Sequence, residues 1–172
     1  QTSFSYNMLA LNGGRPEQMT LRTVLRSFIG FREEVITRRT KYELAKARDR
    51  AHILVGLAIA VANIDDVVKL IRQAPTPQSA KEELMARAWP AKDLAPLVAL
   101  VADPRHALQE DGTLKLSETQ AKAILDLRLQ RLTALGRDEI GDELKGLAEK
   151  IEDYLDILRD RNRVLTIAKE EL

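Results

Sequence analysis

Apolar residues recur at alternating steps of four and three from Ile140 through Leu144, Leu147, Ile151, Tyr154 and Leu158, and again at Leu165, Ala168 and Leu172, with Arg161 alone interrupting. A mean step of 3.5 residues keeps one helix seam turned toward a partner helix over many turns. The pattern predicts a single return helix that, at 1.5 Å per residue, reaches roughly 50 Å. So long a helix needs an equally long companion. The proline-free tract between Pro16 and Pro75 supplies it, because an interior proline costs a helix about 3 kcal/mol.

Thr20 is placed to cap this outgoing helix, whose seam reads Leu21, Val24, Leu25, Phe28, Phe31, Val35 and Tyr42, then Ile53, Leu57, Val61 and Ile64. Between Arg38 and Arg50 large apolar groups thin out, as expected of a two-helix arm in solvent. From Ile53 to Ile71 the tract is apolar nearly all round and predicts burial in a core. Gly30 and Gly56 mark a bend or a close contact. Before the helix, Phe4 to Leu11 alternates as a strand and ends at the turn signal Asn12-Gly13-Gly14. Between the arms, residues 75–138 predict short helices: Pro77 to Ala88, Asp93 to Val101 broken at Pro96, and a helix capped by Ser117 running from Glu118 to Leu132.

The reading is therefore mainly α, with a long antiparallel two-helix coiled-coil arm, a small helical globular head and a short N-terminal β-strand. Its parts are 1–32, strand and start of the long helix; 33–74, the outgoing helix running into the head; 75–138, the head; and 139–172, the return helix. Composition agrees: of 172 residues 45% are hydrophobic but only 4% aromatic, which suits helix-on-helix packing. Without cysteine, disulfides and thiolate metal sites are excluded, and a cytoplasmic setting is expected. The most apolar stretch, Ile53 to Val61, is too short to cross a bilayer, so no membrane role is expected. The chain does not begin with Met and reads as a piece of something larger.

Net charge is only +1, yet Arg15 to Arg50 holds ten Lys/Arg against five Asp/Glu, while Asp142 to Leu172 holds six against nine. Opposite signs suit two helices lying side by side. Arg38, Arg39, Lys41, Lys46, Arg48 and Arg50 thus read either as a solvated face paired with the acidic return helix or as a surface facing nucleic-acid phosphate. No aromatic or amide cluster accompanies them to read bases.

Candidate chemistry is sparse. No phosphate-binding glycine loop is present. His52 and His106 lack ligand spacing and read as packing or surface residues, so no metal site is expected. The acid pairs Asp65-Asp66, Glu82-Glu83 and Asp142-Glu143 point to different helix faces and read as solvated surface. Tyr6, Tyr42 and Tyr154 have no arranged base and read as packing. No catalytic or cofactor-binding residue is predicted. The densest apolar stretch is Gln120 to Leu135, QAKAILDLRLQRLTAL, apolar on too many faces for one amphipathic stripe. It is either buried wholly in its own core or partly turned to another molecule.

SFSYNMLAL, FREEVITRRTKYELAKARDRAHILVGL, ANIDDVVKLIRQA and LSETQAKAILDLRLQRLTALG, in this order, closely resemble the A subunits of bacterial type IIA topoisomerases, DNA gyrase first and topoisomerase IV second. The resemblance covers essentially the whole chain; only about Ala88 to Lys115 is generic. It implies the C-terminal part of the breakage-reunion domain: the end of the tower, the coiled-coil arm and the exit-gate head. It implies a homodimer touching through the head, with Ala121, Ile124, Leu125, Leu127, Arg128 and Leu132 at or beside the contact, and a duplex DNA partner. The parent would be an ATP-dependent enzyme, an A2B2 assembly with the B subunit, which handles ATP and magnesium. The DNA-cleaving tyrosine lies upstream in that family, so these residues alone should be inactive and carry no cofactor. Val55 departs from relatives, which more often have an acid there, and so puts any salt bridge at that position in doubt. A plain structural coiled coil and a self-contained enzyme are the rival readings.

Overall fold

The computed structural model describes residues 2, 5–96, 98, 111–127 and 137–172. These residues are mainly helical and form two compact units. One holds the chain up to Tyr42 together with Tyr154–Leu172; the other holds Glu43–Asp153.

The first unit opens with a β-hairpin. Strand β1 (Met8–Asn12) pairs antiparallel with β2 (Arg15–Met19), Leu9 opposite Gln18 and Leu11 opposite Pro16. Gly13 and Gly14 form the turn with φ of +58° and +82°, a left-handed backbone that glycine adopts without steric penalty. Only the first strand was predicted. Arg-Pro-Glu-Gln-Met has no apolar alternation, and its proline is tolerated because β2 is an edge strand. Phe4 lies outside the described residues.

Helix α1 (Leu21–Ala62) begins where expected: the Thr23 N–H donates to Thr20 Oγ1 at 3.2 Å and the Val24 N–H to the Thr20 carbonyl at 3.0 Å. The Leu21 N–H donates to the Tyr6 hydroxyl, tying the hairpin to the helix start. The predicted seam packs only in part: Leu57 is buried and Val24 and Val35 are half-buried, but its large residues in the first unit do not pack. Leu21, Leu25, Phe28, Phe31 and Tyr42 are exposed, Tyr42 at 64%. Ile36, at 0%, is the buried residue on which the first unit is built, with Ile157, Val164 and Ala168 around it and Tyr154 and Ile167 half-buried beside them. In this part α1 carries apolar residues on more than one face, and periodicity alone selects the richer face rather than the one that has a neighbour.

The return segment is two helices, not one. Helix α5 (Arg137–Arg159) stops at Asp160, whose backbone is extended (φ −115°, ψ 111°) and whose carboxylate accepts from the Asn162 N–H at 2.8 Å to start helix α6 (Arg161–Glu170). The break shifts the seam: Ile157 and Val164 are buried where Leu158 and Leu165 were expected, and Leu172 is exposed. Arg161 stands outside the seam and forms an ion pair with Glu33 at 2.9 Å. The Glu171 carboxylate accepts from both Arg32 and Arg39.

In the second unit α1 ends at Ala62, one residue before α2 (Ile64–Gln73). The apolar tract from Ile53 to Ile71 is therefore divided at Asn63, whose side-chain amide donates to the carbonyls of Ile59 (2.9 Å) and Pro90 (3.1 Å). Helix α3 (Pro77–Ala86) starts with a capping box between Thr76 and Ser79 and a proline in its first turn. A two-stranded sheet follows that the reading of short helices missed: β3 (Ala88–Pro90) pairs with β4 (Thr113–Lys115), Trp89 opposite Leu114. Three-residue strands are too short for alternation to show. The Asp93 to Val101 helix opens as a 3₁₀ turn at Lys92–Leu94 and is α-helical at Ala95, Pro96 and Val98, with no break at Pro96; its other residues beyond Pro96 lie outside the described ones. Trp89 is fully buried, donates to the Leu84 carbonyl at 2.9 Å and carries the Arg87 guanidinium 4.7 Å above its ring. Val55 is buried too, so the core has an apolar contact where an acid would have to be paired.

Replacing Ile36 by Ala should cost about 2–5 kcal/mol, whereas Phe31→Ala should stay within about 0.5 kcal/mol; urea unfolding separates the two. Hydrogen bonding from Arg39, then the charges of Arg39 and Arg32, hold the Glu171 carboxyl below its ordinary 4.5. A depressed folded-state pKa adds stability that is complete above the unfolded value and lost as pH falls through the folded one. Amide exchange in Arg161–Glu170 should therefore accelerate as pH drops below about 4.5, after correction for intrinsic rates, and Glu171→Gln should remove that part of the acid dependence.

Candidate partner and nucleic-acid interface

Helix α4 (Glu118–Asp126) carries the described part of the apolar stretch singled out in the sequence. It is shorter than expected: Leu127 is already extended (ψ 129°), its N–H closing the helix on the Ala123 carbonyl. Its start is fixed by a capping box in which the Gln120 N–H donates to Ser117 Oγ (3.2 Å) and the Ser117 N–H to Gln120 Oε1 (2.9 Å). The Gln120 amide also donates to the His52 carbonyl on α1 at 2.8 Å, and His52 Nε2 lies 2.7 Å from Ser117 Oγ. Gln120 is 1% exposed and its amide uses both ends, which is what makes a buried amide tolerable.

This close approach requires Gly56. A Cβ there would lie 2.7 Å from both Cβ and Cγ of Gln120, so of the two readings of Gly56 the structure supports a close contact. Gly30 has nothing near it and stands inside an unbroken α1. Lys81 of α3 reaches Glu118 at 2.9 Å, and that hydrogen bond and charge lower the Glu118 carboxyl. The α4 backbone is thus held from two sides.

The six residues expected at the contact between subunits divide by burial. Ala121 and Ile124 are both 0% exposed, sheathed by their own chain; at a three-residue step they form the face that α4 turns inward. They offer no surface to another molecule in this arrangement. Leu125 and Leu127 are partly open, as is Ala123, and Lys122 and Asp126 are exposed. Arg128 and Leu132 lie outside the described residues. Sequence reasoning counted apolar residues without dividing inner from outer faces; the Ser117-x-x-Gln120 capping signature was the available guide to where the helix starts and which way it faces.

The basic residues divide by partner. In the first unit Arg39 is taken by Glu171, Arg38 lies 3.7 Å from Glu34, and Lys41 is exposed. In the second unit Arg50 binds Glu143 with Nε at 2.8 Å and Nη2 at 3.2 Å, Lys46 is exposed, and Arg48 has a buried Nε without a hydrogen-bond partner. The two sequence readings thus both have material: some cations pair with acids of the return segment, while Lys41 and Lys46 face solvent. His52 is a packing residue and His106 lies outside the described residues. Among the described residues no group of three metal-ligating side chains occurs, and no helix is long and apolar enough to cross a membrane.

The family model for the A subunit of DNA gyrase and topoisomerase IV matches residues 1–172. The chain belongs to this family. It is 55% identical to the DNA gyrase A protein of Granulibacter bethesdensis over 172 residues, which is all of this chain and 18% of that protein. The Rickettsia bellii gyrase A protein is 54% identical over the same length, covering 19% of it. That of Salmonella typhimurium is 45% identical over 181 aligned positions, covering all of this chain and 20% of the relative. The chain therefore spans about a fifth of the length of these family members.

Gly56→Ala forces Gln120 away from His52 and should destabilise the second unit by about 1–3 kcal/mol. Gln120→Met keeps the volume but leaves the Ser117 N–H without its partner and removes the bond that ties α4 to the His52 carbonyl, at about 1–3 kcal/mol. Because both act on one contact, the double variant should cost clearly less than the sum, as read by a double-mutant cycle in urea.

Proposed function

We propose that this chain is the exit-gate end of a gyrase A protein, part of an ATP-dependent type II topoisomerase that passes one DNA duplex through a double-strand break and introduces negative supercoils. The observation that carries this reading is identity over the full length of the chain with proteins named as the A component of DNA gyrase. It spans only a fifth of them, so its work is that of a part. In this reading the Glu43–Asp153 unit holds the head, α1 and α5 form the coiled-coil arm, and two heads meet across a two-fold axis. Strand cleavage belongs to a tyrosine elsewhere in the parent protein, and ATP and magnesium to the B subunit of an A2B2 assembly in the cytoplasm.

The open flank of α4 suits such a gate. Leu125 on α4 and Leu127 just past its end are partly exposed, and the α4 backbone is fixed by the Gln120 bridge, so an apolar contact there can form and part without rebuilding the head. Burial of an apolar side chain stabilises by about 1.5–3 kcal/mol before association costs, so a handful per protomer gives a contact that holds yet opens. Lys41 and Lys46 are the cations of the basic stretch best placed to face a phosphate backbone, and they would do so without sequence preference. Topoisomerase IV is the second reading, since the family model spans both enzymes; gyrase is favoured because the relatives above carry that name.

Sedimentation of this chain at high micromolar concentration should show a dimer that Leu127→Glu converts to monomer, while Leu9→Glu on the exposed hairpin face leaves it intact. A wild-type monomer, or equal effects of the two variants, refutes the gate.

A further inference from the structure

The ties that hold α6 to α1 fall within two turns of α1. Arg161 at the first position of α6 reaches Glu33, the Glu171 carboxylate just past its end takes Arg32 and Arg39, and the apolar contact between them centres on Ile36. The charge balance at the Glu171 end is uneven. One carboxylate gives Oε2 to Arg32 Nη2 and Oε1 to Arg39 Nη2, so neither guanidinium has the two-pronged partner its geometry favours. The Arg32 Nε is buried without a hydrogen-bond partner. Two positive charges thus share one negative charge, at a site open to water: the Arg39 side chain is 52% exposed.

We propose that Glu171 stands in for a phosphate, masking Arg32 and Arg39 from the backbone of duplex DNA, and that α6 lifts from α1 to release them. This inference rests on the reading of the parent as a DNA-passing enzyme. Two features make α6 a releasable cover. The extended Asp160 interrupts the backbone ladder, so α6 parts from α1 without unwinding α5. The apolar hold of α6 consists of Val164 and Ala168, with Ile167 half-buried, and the rest is ionic and weakens with salt. A phosphodiester backbone offers successive anions and displaces a single carboxylate by mass action.

The test measures binding of this chain to a short random-sequence duplex by fluorescence anisotropy across a salt series. Glu171→Gln should bind about three- to tenfold more tightly at low salt, with a log–log salt slope steeper by up to about two, because two further phosphates become neutralised. Glu170→Gln makes the same change in net charge one residue away and should give clearly less. Adding Arg32→Gln and Arg39→Gln to Glu171→Gln should abolish the gain, and amide exchange in Arg161–Glu170 should accelerate when DNA is bound to the wild type. Equal gains from Glu170→Gln and Glu171→Gln, a gain that survives loss of both arginines, or unchanged exchange on DNA binding overturns the mask. Lys41→Gln with Lys46→Gln separates the two readings. If that pair weakens binding while Glu171→Gln does nothing, the mask is wrong and the DNA-facing stretch stands. If the pair is silent while Glu171→Gln gains through the arginines, the mask stands and the stretch falls.

Discussion

A side-chain amide with no freedom left organises the second unit. Gln120 spans from the Ser117 N–H to the His52 carbonyl, and it can sit so close to α1 only because residue 56 has no side chain. The bridge sets where α4 begins and therefore which residues face inward. With Ala121 and Ile124 turned into the core, Leu125 and Leu127 are left on the open flank. Any role of that flank in association is downstream of one satisfied amide. Such satisfaction is demanding: a buried amide missing one partner loses more than the bond contributes when made.

The first unit rests on a different balance. Its apolar centre is the small group around Ile36, and the other ties between α1 and α6 are surface ion pairs. Exposed pairs contribute little each and are screened by salt. The two units therefore differ in kind, one held by packing and satisfied polar groups, the other by a small apolar contact and charge.

How much of this was legible in the sequence depends on the signal. Helix starts were legible, because capping is local chemistry: Thr20 and Ser117 both cap as their spacing suggests. Proline spacing correctly set apart the tract that forms α1. What failed was the choice of face. Leu25, Phe28 and Phe31 formed a richer stripe than Ile36, yet Ile36 is the buried one, and periodicity carries no information about which stripe has a neighbour. The Asp160 break was half-visible as the charged interruption at Arg161, but a heptad tolerates one polar residue, so nothing local demanded a stop. At the candidate interface the apolar stretch was legible and its division into inner and outer faces was not.

The distribution of aromatic residues has an optical consequence. The chain has one Trp and three Tyr. Trp89 is buried in the second unit, and Tyr6, Tyr42 and Tyr154 all belong to the first. Indole emission excited at its red edge therefore reports the second unit alone, and phenol absorbance reports the first. The molecule carries two intrinsic spectroscopic channels, one for each half, without any label.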